Sequence, residues 1–186
     1  MVQGSGNAAE QSGYTITPTD TQIYGAVRNW LLAILPASVQ VVQGQQNRVA
    51  PPPTPFVTMT LTERTRLATN SWSYTSTTRE VCEPASLGMQ IDLFGAGVGG
   101  CAQTIAALWR DPQAATFFAG LPFQLAPLDV ALPHQSGFRD GEHQYEENWT
   151  VALHMQVTFC LSMAQDFATT LSVHTLLADA ADPPEE

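Results

Sequence analysis

Lysine is absent from the sequence, and most of the charged residues are acidic. Seven arginines supply all the basic side chains against seventeen Asp and Glu residues, so the formal net charge is −10 at pH 7. Tight binding of nucleic acid needs basic side chains that neutralise phosphates, and this balance argues against it. Because acidic side chains repel phosphates, the balance is nevertheless compatible with a surface along which DNA moves without binding.

Charged residues of either sign are also scarce. They make up 13% of the chain, about half the usual share of a globular protein. Much of the surface must therefore consist of Gln, Thr, Ser and Ala. The hydrophobic fraction of 44% over 186 residues excludes wholesale disorder and is enough for one domain with its own core.

Cysteine is the next scarce residue, with Cys82, Cys101 and Cys160 as its three occurrences. Their number is odd and their spacing matches no metal-binding or redox motif. We therefore predict free, buried thiols rather than a disulfide.

Long apolar runs are missing as well. No run approaches the ~20 residues that a membrane-spanning helix needs, so we expect no contact with a membrane. The first thirteen residues lack the basic start and apolar centre of a secretory signal peptide. Synthesis in a reducing cytoplasm is the expectation that follows.

Two loops contain residues that could bind a ligand. Residues 95–100 (GAGVGG) follow a predicted strand and precede a predicted helix, but the spacing is not that of a dinucleotide loop and no lysine follows. We interpret them as a tight turn. His134, Asp140, Glu142 and His143, with His154 beyond them, match no metal-ligand spacing and are interpreted as a solvated turn.

Catalytic motifs are absent too. The chain has no G-x-S-x-G sequence around a serine nucleophile. Glu146 and Glu147 are adjacent, so on a strand they point to opposite faces and form no acid–base pair. We predict that the protein is not an enzyme and has no catalytic residue, no metal site and no cofactor.

The strongest positive pattern covers residues 149–163. All its odd positions are apolar and all its even positions are small or polar, which is typical of a strand with one face on the core. At ~3.3 Å per residue it would extend roughly 50 Å, far longer than an ordinary strand. We expect it either to bend at a bulge or to continue past its own domain, and we expect residues 167–177 to be its hairpin partner.

Weaker patterns predict the other elements. Helices are predicted at residues 23–35 and 101–110, and strands at 39–41, 56–61 and 87–93. The predicted fold is α+β: a single domain with an antiparallel or mixed sheet of about five strands, two helices on one face and a long C-terminal β-hairpin. Residues 1–17 are predicted to be a flexible polar arm, residues 18–178 the domain, and residues 179–186 a disordered acidic tail.

Residues 63–83 interrupt this order with a polar stretch that contains exposed aromatic residues. We interpret the stretch as a projecting hairpin or an interface loop, because loops of this length are uncommon without a function. Its candidate interface residues are Arg64, Arg66, Trp72, Tyr74 and Arg79. The alternatives are solvated arginines and a small aromatic cluster beneath the loop.

Over residues 18–178, the order of several segments resembles the neck and tail-terminator proteins of tailed bacteriophages. The segments are 23–32 (IYGAVRNWLL), 41–48 (VVQGQQNR), 55–60 (PFVTMT), 66–70 (RLATN), 90–95 (QIDLFG) and the strand at 149–163. The polar arm and the acidic tail lie outside the resemblance.

The resemblance implies a structural virion protein, made in the bacterial cytoplasm. Its subunits would form a hexameric ring that caps the tail tube, ends tube polymerisation and joins the tail to the head-side connector. The ring would contact the tube protein, the neck proteins and, in a contractile tail, the sheath protein, with DNA passing through its lumen. The family has no catalytic residues and needs no cofactor.

Two other interpretations stay open at this point. The chain could be a head-completion, connector or minor tail protein of the same virion. It could instead be a small soluble enzyme or ligand-binding protein whose site lies in residues 97–100 or 134–143.

Overall fold

The computed structural model describes residues 13–46, 50–53, 55–139, 145–166, 168 and 172–173. Within them the chain forms eight strands and three helices. In chain order these are β1 (Tyr14–Thr17), α1 (Asp20–Ile34), β2 (Gln40–Gln43), β3 (Phe56–Arg66), β4 (Ser71–Tyr74), β5 (Thr78–Phe94), α2 (Gly99–Trp109), α3 (Pro112–Ala119), β6 (Leu125–Val130), β7 (His134–Arg139) and β8 (Tyr145–Ala164).

All eight strands belong to one sheet, and β8 is its longest member. β5 pairs antiparallel with β8 along one edge, from Thr78 opposite Ala164 to Phe94 opposite Asn148. Along the other edge β7, β6 and β1 pair with β8 in succession, also antiparallel. β3 lies on the far side of β5, and β2 joins β3 in the only parallel pairing between described strands.

The core lies between one face of this sheet and the three helices. The odd-numbered residues of β8 from Val151 to Val157 are fully buried, as the alternating pattern predicted. Trp30 of α1, Trp109 of α2 and Phe118 of α3 meet above them, and the ring centroids of the two tryptophans are 5.1 Å apart. The even-numbered residues of β8 face the side opposite the helices, and those from Thr150 to Ser162 are only half-buried.

Local sequence explains where α1 and α3 begin. Thr19 and Gln22 form a reciprocal capping box at the start of α1, which satisfies two backbone N–H groups that the helix leaves free. Asp111 accepts from the backbone N–H of Gln113 at 2.9 Å and so caps α3. Pro112 follows this cap at the first helical position, where its missing N–H costs nothing.

The predicted α+β class with a mostly antiparallel sheet is confirmed, with two differences in detail. The sheet has eight described strands rather than about five, and a third helix, α3, follows α2. Among the described residues, the C-terminal hairpin is formed by β7 and β8. Most of residues 167–177, the hairpin partner predicted for the long strand, lies outside the described residues, as do residues 179–186.

Two further expectations are corrected by strand pairing. Residues 14–17 of the predicted arm form β1 and pair with residues 160–163 of β8; residues 1–12 lie outside the described part. Cys82 and Cys160 form a disulfide, so the prediction of free thiols was wrong for both. They are direct partners in the β5–β8 ladder, a proximity that spacing along the chain does not reveal. Cys101 is free, as predicted.

The sheet extends beyond its layer of helices. We call this part the projecting end: β1, β4, residues 78–83 of β5 and residues 159–164 of β8. On the helix side, β8 changes from fully buried at Val157 to half-buried from Phe159 onward, and β1 and β4 are exposed throughout. The polar stretch at 63–83 is therefore a projecting hairpin of β4 and β5, as one of its two interpretations held.

Candidate functional site

The projecting end presents a row of apolar side chains on the face that continues the core. Directly paired residues of neighbouring strands share a face of the sheet. Trp72 of β4 is opposite Val81 of β5, Val81 is opposite Leu161 of β8, and Leu161 is opposite Ile16 of β1. The row therefore crosses all four strands.

A second row lies beside the first, nearer the tip of the sheet. It consists of Tyr74, Arg79, Met163 and Tyr14, paired in that order across the same four strands. These eight side chains are called the projecting face from here on.

Four side chains of the projecting face are exposed in the isolated chain, and the other four are half-buried. Trp72 is 56% exposed, Tyr74 57% and Tyr14 48%. Contiguous exposed apolar residues of this kind mark interaction surfaces, and Trp, Tyr, Met and Arg are the residue types enriched there. The Nε of Arg79 is buried and has no hydrogen-bond partner among the described residues.

The structure divides the five predicted interface residues into two groups. Trp72, Tyr74 and Arg79 come together on the projecting face. Arg64 instead pairs with Asp20 of α1, and its guanidinium lies 5.1 Å from the ring centroid of Phe159. The role of all five residues in an interface stays a prediction.

Arg66 is also engaged within the chain. Its side chain donates to the backbone oxygen of Ala68 at 2.8 Å and to Oδ1 of Asn70 at 3.0 Å. The carboxylate of Glu83 lies 3.6 Å away. These contacts shape the turn between β3 and β4, which sets the position of Trp72 and Tyr74.

Sequence reasoning missed the other members of the projecting face. The alternating pattern correctly places Leu161 and Met163 on the apolar side of the long strand. The neighbouring sequence does not indicate whether a helix packs against them. Tyr14 and Ile16 were placed in the polar arm. The only available signal was the alternation of residues 14–17 (YTIT), which is too short to predict a strand by itself.

The two outer edges of the projecting end have unpaired backbone groups. Among the described strands, β4 pairs only with β5, and β1 pairs only with β8. Neither edge contains a charged residue or a proline. Residues of these two kinds usually prevent an exposed sheet edge from pairing with other chains. Both edges are therefore competent to pair with another strand.

The glycine-rich loop between β5 and α2 is a tight turn occupied by the chain's own carboxylate. Gly95 and Gly97 have φ values of 116° and 79°, a region that favours glycine. The backbone N–H groups of Gly97 and Gly99 donate to Glu147 at 2.8 and 3.2 Å, and Nε1 of Trp149 donates to it at 2.9 Å. Glu147 thus fills the position that a phosphate would need.

These three donors lower the pKa of Glu147. The hydrogen bond from the backbone of Gly97 contributes most, followed by that from Trp149; burial opposes them, and the bond from Gly99 makes the smallest contribution. Each donor stabilises the charged form of the carboxylate. The turn therefore gains stability from Glu147 only while this residue is ionised.

We expect Glu147→Gln to lower the midpoint of thermal unfolding by a few degrees at pH 7. Because the folded pKa is lowered, the contribution of the wild-type residue is complete above the unfolded pKa of about 4.5 and is lost as the pH falls through the folded value. The variant and the wild type should therefore converge as the pH is lowered through the folded value, as measured by circular dichroism. Glu146→Gln is the control, and an equal loss in both variants would contradict the assignment.

Of the histidines and acidic residues predicted to lie in a solvated turn, the structure describes His134 and His154. His134 begins β7, whereas Asp140, Glu142 and His143 lie outside the described residues. His154 of β8 lies on the face opposite the helices. Its Nδ1 is 3.0 Å from Asp129 and its Nε2 is 3.6 Å from Glu63, so its two nitrogens face different carboxylates.

An extended sheet with an uncovered apolar face and two unprotected edges is typical of a structural subunit that is buried in an assembly. A family model described as phage neck terminator protein matches residues 21–179. The chain belongs to this family and is a structural protein of the bacteriophage neck. The suspected resemblance is thereby confirmed, and the family is not a class of enzymes. β1 lies outside the matched residues.

A search among curated proteins gave no match. Among the described residues, no helix combines the length and apolar character needed to cross a membrane. Membership of the neck family indicates contacts with other head or tail proteins of the virion.

Proposed function

We propose that the protein forms a closed ring, hexameric in the simplest case, that caps the tail tube. The ring ends tube polymerisation and joins the tail to the head-side connector, and in a contractile tail it also meets the sheath. Family membership supports the position in the virion. The observation that carries the proposal is the projecting face, on which Tyr14, Ile16, Trp72 and Tyr74 are exposed in the isolated chain.

The occupant we propose for this surface is a second copy of the chain. β1 and β4 lie on opposite edges of one sheet at the same level, and each contains four residues without charge. The edge of β4 in one copy can therefore donate to and accept from the edge of β1 in the next. Such a contact joins two different surfaces, and repeating it closes a ring when the rotation between copies allows.

The ring caps the tail tube because its two sides differ. One side of the ring binds the last layer of tube subunits, and the other offers no matching surface for a further layer. The net charge of −10 disfavours adhesion of DNA to the ring as it moves through the lumen. We also propose that the protein is synthesised in the host cytoplasm.

Solution mass is the direct test of the ring. We expect light scattering to give about six times the chain mass of 20.1 kDa, and negative-stain images to show particles with a central hole. A monomer that persists at all concentrations, both free and with purified tube protein, would contradict the proposal.

Deletion of the gene tests termination separately. Tails that are overlong or lack heads are expected, and normal tails with attached heads would count against a terminator. A pull-down against tube and connector proteins distinguishes this role from that of a head-completion or minor tail protein, which would not bind the tube end.

A further inference from the structure

The disulfide lies directly behind the projecting face. Cys82 and Cys160 alternate along their strands with Val81 and Leu161, which belong to the projecting face, so the two sulfurs lie on the opposite side of the sheet. The bond joins β5 to β8, the two central strands of the projecting end, over a sequence separation of 78 residues.

Apart from the pairing of its strands, this end of the sheet has little buried side-chain surface to hold its register. Residues 85–93 of β5 are held beneath the helices by fully buried side chains, whereas residues 79–83 are only half-buried. Strand ends with little buried apolar surface open locally at low free-energy cost. A covalent link between β5 and β8 at this level therefore controls how well the projecting face is ordered.

The two cysteines border a cavity that is open to solvent. Both cysteines are half-buried and line an open cavity of about 470 Å³ together with Glu80, Phe123 and Gln124. Cys101 lies on α2, away from this pair, and burial raises the pKa of its thiol. Since the thiolate is the reactive form, Cys101 is a poor competitor for the same reaction.

We propose that Cys82 and Cys160 form a reversible redox site that sets the order of the projecting face. In a reducing cytoplasm the pair is a dithiol. A small-molecule disulfide such as oxidised glutathione closes it: the thiolate of one cysteine attacks the reagent and releases one glutathione, and the second cysteine then attacks the mixed disulfide and releases the other. Two thiol protons leave with the two glutathione molecules, so one protein disulfide and two thiols are formed.

Glu80 slows this exchange in both directions. Its carboxylate oxygen and the two sulfurs all lie within 4.8 Å of one another, and Ser73 donates to it at 3.2 Å. A fixed negative charge repels the attacking thiolate. At this distance in water the effect amounts to about fourfold in rate.

The first experiment follows the thiols of the full-length protein. Lysis with an alkylating reagent should show Cys82 and Cys160 reduced, and oxidised glutathione should then convert the purified protein to a form lacking two hydrogens, with the two cysteine peptides linked. Reduced glutathione should reverse the change, and Cys101→Ser should behave as the wild type. A pair that is already oxidised at lysis, or that stays reduced in oxidised glutathione, would overturn the proposal.

Hydrogen exchange measures the structural consequence. Amides of residues 78–82 and 160–164 should exchange more slowly in the oxidised than in the reduced protein, whereas amides beneath the helices should not differ. Equal exchange in both forms would contradict control of the projecting face. This result does not require a ring, so it can fail or succeed independently of the proposed function.

Glu80→Gln isolates the electrostatic effect. We expect reduction by glutathione to become about fourfold faster at low salt, with a smaller difference at high salt because screening weakens the repulsion. Glu83→Gln is the matched control, since that residue lies on the opposite face. Equal rates for Glu80→Gln and the wild type would show that Glu80 does not slow the exchange.

Discussion

Replacing Trp109 with alanine is expected to lower the free energy of unfolding by about 3–5 kcal/mol. The side chain is 1% exposed. Its ring lies 5.1 Å from that of Trp30 and 5.6 Å from that of Phe118, measured between centroids. Its Nε1 donates to the backbone oxygen of His154 at 3.1 Å, so the substitution removes both a large buried surface and a hydrogen bond between α2 and β8.

Urea unfolding provides the measurement, at a protein concentration at which light scattering shows the monomer. Trp72→Ala is the matched control: this tryptophan is 56% exposed, and its removal should cost less than about 1 kcal/mol in the monomer. Trp109→Phe keeps an aromatic ring in the core and should lose less than the alanine variant. Similar losses for Trp109→Ala and Trp72→Ala would contradict the assignment of the core.

Trp72→Asp is expected to abolish self-association while leaving the monomer folded. Trp72 begins the apolar row that continues through Val81 and Leu161 to Ile16. Truncation of a tryptophan at the centre of an interface typically costs 2 kcal/mol or more, or about thirtyfold in affinity. The aspartate adds a charge that would have to be buried without a partner.

Light scattering over a range of concentrations tests this expectation, with circular dichroism to verify folding. Ile16→Asp, at the opposite end of the row, should have the same effect, because β1 supplies the other edge of the proposed contact. Leu132→Asp is the control: Leu132 is 82% exposed and lies beside α2. Assembly of Trp72→Asp at wild-type concentrations would exclude the projecting face as the contact between subunits.

The alternating pattern of residues 149–163 carried most of what could be predicted of the fold. It correctly placed Val151, Leu153, Met155 and Val157 in the core. The unusual length of the strand was also correct, since β8 contains 20 residues. Both follow from side chains alternating between the two faces of a strand, a property of neighbouring residues that needs no knowledge of the remaining chain.

The same pattern could not show where burial stops. Phe159, Leu161 and Met163 continue the alternation without a break, yet they lie beyond the helices and form or border the projecting face. An apolar residue on a strand looks the same in sequence whether a helix, a second subunit or solvent faces it. For this reason sequence reasoning found Trp72, Tyr74 and Arg79 through their unusual polar surroundings and missed Leu161 and Met163.

Pairing between distant segments could not be predicted from the sequence either. The disulfide depends on a β5–β8 register that places residues 82 and 160 opposite each other, and a shift of one residue would put them on opposite faces. The turn at residues 95–100 was recognised from its glycines, whereas Glu147, which fills it, comes from a strand about fifty residues later.

The sequence by itself determined the α+β class, the long strand with its buried face, the glycine turn and the family to which the chain belongs. These depend on short-range periodicity and on the linear order of segments. Only the tertiary structure decided which apolar residues stay uncovered, which cysteines meet and which edges stay open. Those properties depend on strand register and on where the helix layer ends, and both are set by contacts between residues far apart in the chain.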